Sequence, residues 1–113
     1  MESRDEAQAT TLLAVQRTIR GETGAFSPVV QEYSDALFSL ARNYGRSPED
    51  AEEDVQEIFL KAYRGLSSFD LSREFRPWLF QIAVNHLKSA RRRRIRRLNR
   101  AEIVPTDHEI LSE

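Results

Sequence analysis

Ser47-Pro48-Glu49-Asp50-Ala51-Glu52-Glu53-Asp54-Val55-Gln56-Glu57-Ile58-Phe59-Leu60-Lys61-Ala62-Tyr63 is the stretch that decides the fold class. Ser47 offers a hydroxyl to cap a helix, Pro48 stands where no amide partner is needed, and Glu49 and Asp50 face the positive end of the helix dipole. Ala51, Val55, Ile58, Phe59 and Ala62, continued by Leu66, recur at three- and four-residue steps and make one apolar stripe. Glu52, Glu53, Gln56, Glu57 and Lys61 are left on the other faces, so this helix is expected to bury one side and show an acidic flank.

The same periodicity extends outward in both directions. Upstream, Phe26, Val29, Val30, Tyr33, Leu37, Leu40, Ala41 and Tyr44 mark a helix from about Phe26 to Tyr44, stopped by Gly45. Its start is set either by Ser27 as cap before Pro28 or, slightly earlier, by Thr23. An earlier helix, Asp5 to Arg20, is read with Ala9, Leu12, Leu13, Gln16 and Ile19 on one side and Gly21 as its stop. Downstream, residues 67–74 lose the period and read as a loop carrying two apolar side chains. A last helix begins near Phe75 with Pro77 in its first turn and buries Phe75, Leu79, Ile82, Ala83, His86 and Leu87. Trp78, Gln81, Asn85, Lys88 and Arg92 form a second line along it. Beyond Lys88, repulsion within the arginine run is expected to fray the helix unless a polyanion binds.

Composition agrees with an all-α bundle of about four helices in one core. The chain has 113 residues with only four Gly and four Pro. Cysteine is absent, which excludes disulfides, thiolate metal sites and a cysteine nucleophile. No apolar run approaches the roughly 18 residues of a spanning helix, so neither secretion nor membrane insertion is indicated and a cytoplasmic location is expected. The net charge of −1 conceals a strong asymmetry. Residues 1–87 carry nine basic and fourteen acidic groups, residues 88–100 carry eight basic and no acidic groups, and residues 101–113 carry four acidic groups only. A basic block on an acidic body predicts a local surface for a polyanion rather than indiscriminate wrapping.

Three ordered segments, Asp50 through Tyr63, Phe69-Asp70, and Phe75-Arg76-Pro77-Trp78-Leu79-Phe80-Gln81-Ile82-Ala83-Val84-Asn85 with the arginines after it, resemble the second conserved domain of extracytoplasmic-function sigma factors. The resemblance covers roughly residues 22 to 97, and several motifs at matching separations make a specific signal. It implies a helical domain that docks on the clamp helices of the largest RNA polymerase subunit and opens the −10 promoter element. Residues 1–20 then form an N-terminal helix, 22–98 the sigma domain, and 99–113 the beginning of a linker toward a C-terminal helix-turn-helix domain, so the chain is expected to be a fragment or a truncated member.

The family's docking pattern falls on Glu53, Gln56 and Glu57, which share one helical face and suit arginine and hydrogen-bonding partners. Where the family usually carries an aliphatic residue this chain has Asp54, expected either to extend the docking face or to be simply exposed. For DNA opening, the resemblance implies that the loop from Ser67 to Glu74, including Arg73, caps a flipped base of the non-template strand. Phe75, Arg76, Trp78, Gln81 and Asn85 then follow the strand, and Lys88, Arg91 and Arg92 contact its backbone. Amide side chains and aromatic surfaces hold unstacked bases while cations hold phosphates. Six arginine-run charges on single-stranded DNA would give a salt slope of about −4.

Plainer readings stand beside these. An acidic helix flank is commonly just solvated, an aromatic at helical spacing is commonly core, and an arginine run is commonly a solvated stretch. An arginine-rich RNA-binding bundle accounts for the basic block but not for the acidic face, and a protein-interaction adaptor accounts for the reverse. Enzymatic function is disfavoured, because His86 and His108 look isolated and no nucleophile or phosphate-loop motif occurs. No cofactor is implied; an anti-sigma factor is a family-level expectation.

Overall fold

The computed structural model of the protein describes residues 2–101, and the acidic tail and His108 lie outside them. Four helices follow one another: α1 (Glu2–Ile19), α2 (Ser27–Asn43), α3 (Pro48–Arg64) and α4 (Phe75–Ala101). A single 3₁₀ turn, Leu66–Ser68, interrupts the connection between α3 and α4.

The helix ends follow local chemistry. Ser47 caps α3 by accepting a 3.1 Å hydrogen bond from the Asp50 amide. At the end of α2, Gly45 adopts a φ of 83°, the amide of Gly45 donates to Arg42 O at 2.9 Å, and that of Arg46 donates to Ala41 O at 3.3 Å. This pair of bonds is a Schellman ending, and the left-handed residue it requires is why glycine stands there. Gly21 ends α1 in the same way, with bonds from Gly21 to Thr18 O and from Glu22 to Arg17 O. The start of α2 differs from expectation: Phe26 is the capping position and no side chain caps it, so neither Ser27 nor Thr23 has that role.

The core is one cluster shared by all four helices. Val15, Val29, Leu37, Ile58, Phe75, Leu79 and Leu87 are its largest fully buried side chains. Each contributes at most about 1.5 to 3 kcal/mol through burial. Tyr33 of α2 sits 6.0 Å from Phe75 of α4, and Phe26 meets Phe59 of α3 edge-on at 6.3 Å. The stripes read for α2 and α3 match the buried sides, with Val30, Leu40, Tyr44 and Val55 packed at the edge of the cluster.

Helix α1 packs on this core but turns a different face inward from the one expected. Thr11, Ala14 and Val15 are buried and the expected Leu12 packs at the edge of the core, while Leu13 and Ile19 are nearly half exposed and Ala9 and Gln16 face solvent. The small residues win because they let the helix approach α2 closely: Thr11 Oγ1 lies 3.5 Å from Tyr33 Oη. In the loop, Phe69 is buried and Leu71 is exposed. Ile82 is only partly buried and packs at the core edge.

Helix α4 continues without a break through the arginine run to Ala101, so the expected fraying after Lys88 is not present. Its last buried residue is Ala90, and Ile95 and Leu98 keep partial cover. At about 1.5 Å per residue its 27 residues extend roughly 40 Å.

Candidate functional site

Two outward surfaces and a buried seam between them account for the residues singled out in the sequence. On α3, Glu53, Gln56 and Glu57 are all exposed and one turn or less apart. Beyond them the structure adds two side chains the periodicity did not select: Leu60, 43% exposed, and Tyr63, 54% exposed. Leu60 stands four residues after Gln56 and three after Glu57, so the face is acidic toward its N-terminal half and apolar toward its C-terminal half. Tyr63 leans edge-on against Phe26 at 5.6 Å, which steadies that apolar end. The sequence signal for both was their position off the core stripe.

Asp54 belongs to neither surface, contrary to both expectations for it. It is 4% exposed and turned into the bundle. Arg46 Nε meets Oδ2 at 2.7 Å and its terminal nitrogen reaches Oδ1 at 3.4 Å, a forked pair. His86 Nε2 of α4 meets Oδ1 at 2.9 Å, and the ring's Nδ1 lies 3.0 Å from Lys61 Nζ. His86 is therefore not isolated. The bond to Asp54, with smaller help from its charge, raises the Arg46 guanidinium above its ordinary value against the opposing effect of burial. Among the described residues no buried side-chain nitrogen or oxygen lacks a partner, so the network is satisfied.

The second surface runs from the loop onto α4. Phe69, Asp70, Arg73, Pro77, Trp78 and Gln81 line an open hollow of about 590 Å³. Asp70 shapes its rim, its carboxylate accepting from the Ser72 amide at 2.9 Å and the Ser72 hydroxyl at 2.7 Å. These bonds, the backbone one first, hold the exposed Asp70 carboxyl below its ordinary value. Trp78 is partly buried, set at 5.1 Å from Phe69 and 5.4 Å from Phe75, so one side is packed and the other faces the hollow. Gln81 donates to Asn85 Oδ1 at 3.2 Å, aligning two exposed amides one turn apart. Lys88 and Arg92 continue the line, both exposed.

Three expected strand contacts are placed elsewhere. Phe75 is 0% exposed and has no surface to present; it braces Phe69 at 5.4 Å and Trp78 from beneath. Arg76 lies over the Phe80 ring at 4.4 Å and the Tyr33 ring at 5.8 Å, and Arg91 lies 6.0 Å from the Tyr44 ring. Cation–π attraction thus holds both arginines on the flank of α4 that meets α2, away from the Trp78 line. Arg73 stays beside the hollow, in a loose 3.7 Å pair with Asp70 whose members are both well exposed.

Comparison with known proteins places this geometry in context. Residues 29–97 match the family model described as Sigma-70 region 2. The chain is 38% identical over 77 residues to the RNA polymerase sigma factor NccH of Alcaligenes xylosoxydans xylosoxydans, covering 68% of this chain and 41% of that protein. It is 40% identical over 82 residues to the ECF RNA polymerase sigma-E factor of Escherichia coli K12, covering 73% and 42%. The chain thus spans about two fifths of the length of these curated relatives. Among solved structures, an engineered region 2 of sigmaE in complex with GTAAAA aligns with a TM-score of 0.71 at 40% identity, covering 77% of this chain and 90% of that one. CnrH in complex with the cytosolic domain of CnrY aligns with a TM-score of 0.66 at 31% identity, covering 71% and 52%.

Proposed function

The chain belongs to the Sigma-70 region 2 family, and from that premise we propose that it acts in transcription initiation by docking on core RNA polymerase through α3 and holding the non-template strand of the −10 promoter element on α4. The observation that carries this reading is the presence of two chemically opposite surfaces on neighbouring helices of one core. An acidic face with an apolar end suits the basic and aliphatic side chains of a clamp coiled coil. A half-packed indole, paired amides and a line of cations suit unstacked bases and their phosphates. The sigmaE region 2 relative holds the hexamer GTAAAA, which supports the second assignment. The CnrH relative binds the cytosolic domain of CnrY, which supports an anti-sigma factor as a further partner.

On this reading the protein works by binding, without a reaction of its own, and acts in the cytoplasm; among the described residues no helix is long and apolar enough to cross a membrane. Residues 22–98 form the working domain. Trp78, Gln81, Asn85, Lys88, Arg92 and the loop residue Arg73 contact the strand; Phe75, Arg76 and Arg91 support it indirectly. Fluorescence anisotropy of labelled GTAAAA against the purified chain tests the strand assignment. Saturable binding, weakened by Asn85→Ala and by Trp78→Ala in a folded protein, is expected. Equal affinity for a double-stranded or scrambled oligonucleotide favours general polyanion binding instead.

A further inference from the structure

Lys61 stands four residues after Glu57 on α3, the order in which a carboxylate and an ammonium on one helix attract each other best. In this structure it does not take that partner. Its ammonium reaches to the neighbouring helix and meets His86 Nδ1 at 3.0 Å. An ammonium has hydrogens to donate and no lone pair, so Nδ1 is the acceptor. The ring proton is then on Nε2, which donates to Asp54 Oδ1 at 2.9 Å. The charged groups bonded around this ring are Asp54 and Lys61 of α3 and, through Asp54, Arg46 of the α2–α3 turn, whose carbonyl is tied to Arg42 of α2 at 2.8 Å. Asp54 is already forked onto Arg46, so a second proton on His86 brings a second cation onto that carboxylate, with the Lys61 ammonium beside the same ring.

We propose that His86 is a positioning residue which, in its neutral form, keeps Lys61 away from the docking carboxylate Glu57, and that protonation of His86 releases Lys61 to mask it. The inference rests on the reading of α3 as the polymerase-docking face. A proton added at Nδ1 points at the Lys61 ammonium and removes the only lone pair that held it. The Asp54 bond survives, because Nε2 still donates. Lys61, an exposed residue, then has Glu57 about one helical turn away, and a partner's arginine must compete for that carboxylate. Imidazole is the side chain that makes such a change between about pH 5 and 8.

The test is the affinity of the full chain for a peptide hairpin of the polymerase clamp helices at about pH 7.5 and about pH 5.5. Wild type is expected to bind about two- to fivefold more weakly at the lower pH, the range of one exposed ion pair. In His86→Gln the amide oxygen accepts from Lys61 and the amide nitrogen donates to Asp54, so this variant keeps wild-type affinity at the higher pH and loses the dependence. Lys61→Gln also loses it. A pH dependence in both variants equal to that of wild type, or none in wild type, overturns the gate while leaving docking intact. Failure of wild type to bind at either pH removes the docking reading and the gate together.

Discussion

Asp54 and His86, 32 positions apart, meet at 2.9 Å between Oδ1 and Nε2 in the seam of α3 and α4, each with a side chain only 5% exposed. The pair ties the helix that carries the acidic face to the helix that carries the amide and arginine line. Removing the carboxylate leaves the Arg46 guanidinium, 13% exposed, and the His86 ring without their shared acceptor. Asp54→Ala is therefore expected to destabilise the fold by about 3 kcal/mol or more. Asp54→Leu combined with Arg46→Met and His86→Phe is expected to recover most of that loss, because well-packed apolar groups can replace a buried ionic cluster. Urea denaturation of the single and triple variants, compared at equal slope, measures both.

Phe75 supports the candidate strand site from below. Phe75→Ala is expected to cost about 3 to 5 kcal/mol through loss of buried contact and the cavity left behind. It also unseats Trp78, the sole tryptophan, so the emission maximum in the folded state shifts to the red. An unchanged spectrum in a folded variant would mean that Phe69 alone holds the indole.

Ser47 is a simpler case. Its hydroxyl is the side-chain acceptor that closes the first turn of α3, and Ser47→Ala is expected to cost about 1 kcal/mol in urea denaturation. Ser47→Gly should cost only a few tenths of that amount.

The Asp70 turn carries a pH signature. Its folded-state pKa lies below the ordinary 3.8, so the carboxylate's bonds to Ser72 contribute above that value and are lost as pH falls through the lower folded one. The Ser72 amide resonance, followed by NMR from about pH 6 to about pH 2, should move with a midpoint below 3.8.

Cations that touch phosphate show themselves in salt dependence. Arg92→Ala is expected to reduce the salt slope for single-stranded DNA by about 0.7. Arg91→Ala should change the slope less, because that guanidinium lies by the Tyr44 ring. Titrations at several salt concentrations distinguish the two.

The all-α class, the cap of α3, the stop of α2, and the buried stripes of those helices were legible because 3.6-residue periodicity and Ser, Pro and Gly signals are local. The inward face of α1 was not, since Thr11 and Ala14 are chosen by how closely α1 approaches α2, and Leu13 is larger but faces solvent. Asp54 was misread for the same reason: its partners Arg46 and His86 come from other segments, and no spacing within α3 announces them. The Trp78, Gln81 and Asn85 line followed from helical spacing alone. Phe75 and Arg91 were displaced from it by aromatic residues of the loop and α2, which only the packed structure brings alongside, and Arg76 by Phe80 one turn on along α4 together with Tyr33 of α2.

The measurement that bears most directly on the proposed role is binding of the folded chain to a purified hairpin of the polymerase clamp helices, compared with Gln56→Ala plus Glu57→Ala and with Leu60→Ala. Saturable binding by wild type is predicted, lost in the double variant and weakened in Leu60→Ala, with all three proteins equally stable because these side chains lie outside the core. Absence of binding by wild type, or binding indifferent to all three side chains, would contradict the assignment of α3 as the docking helix.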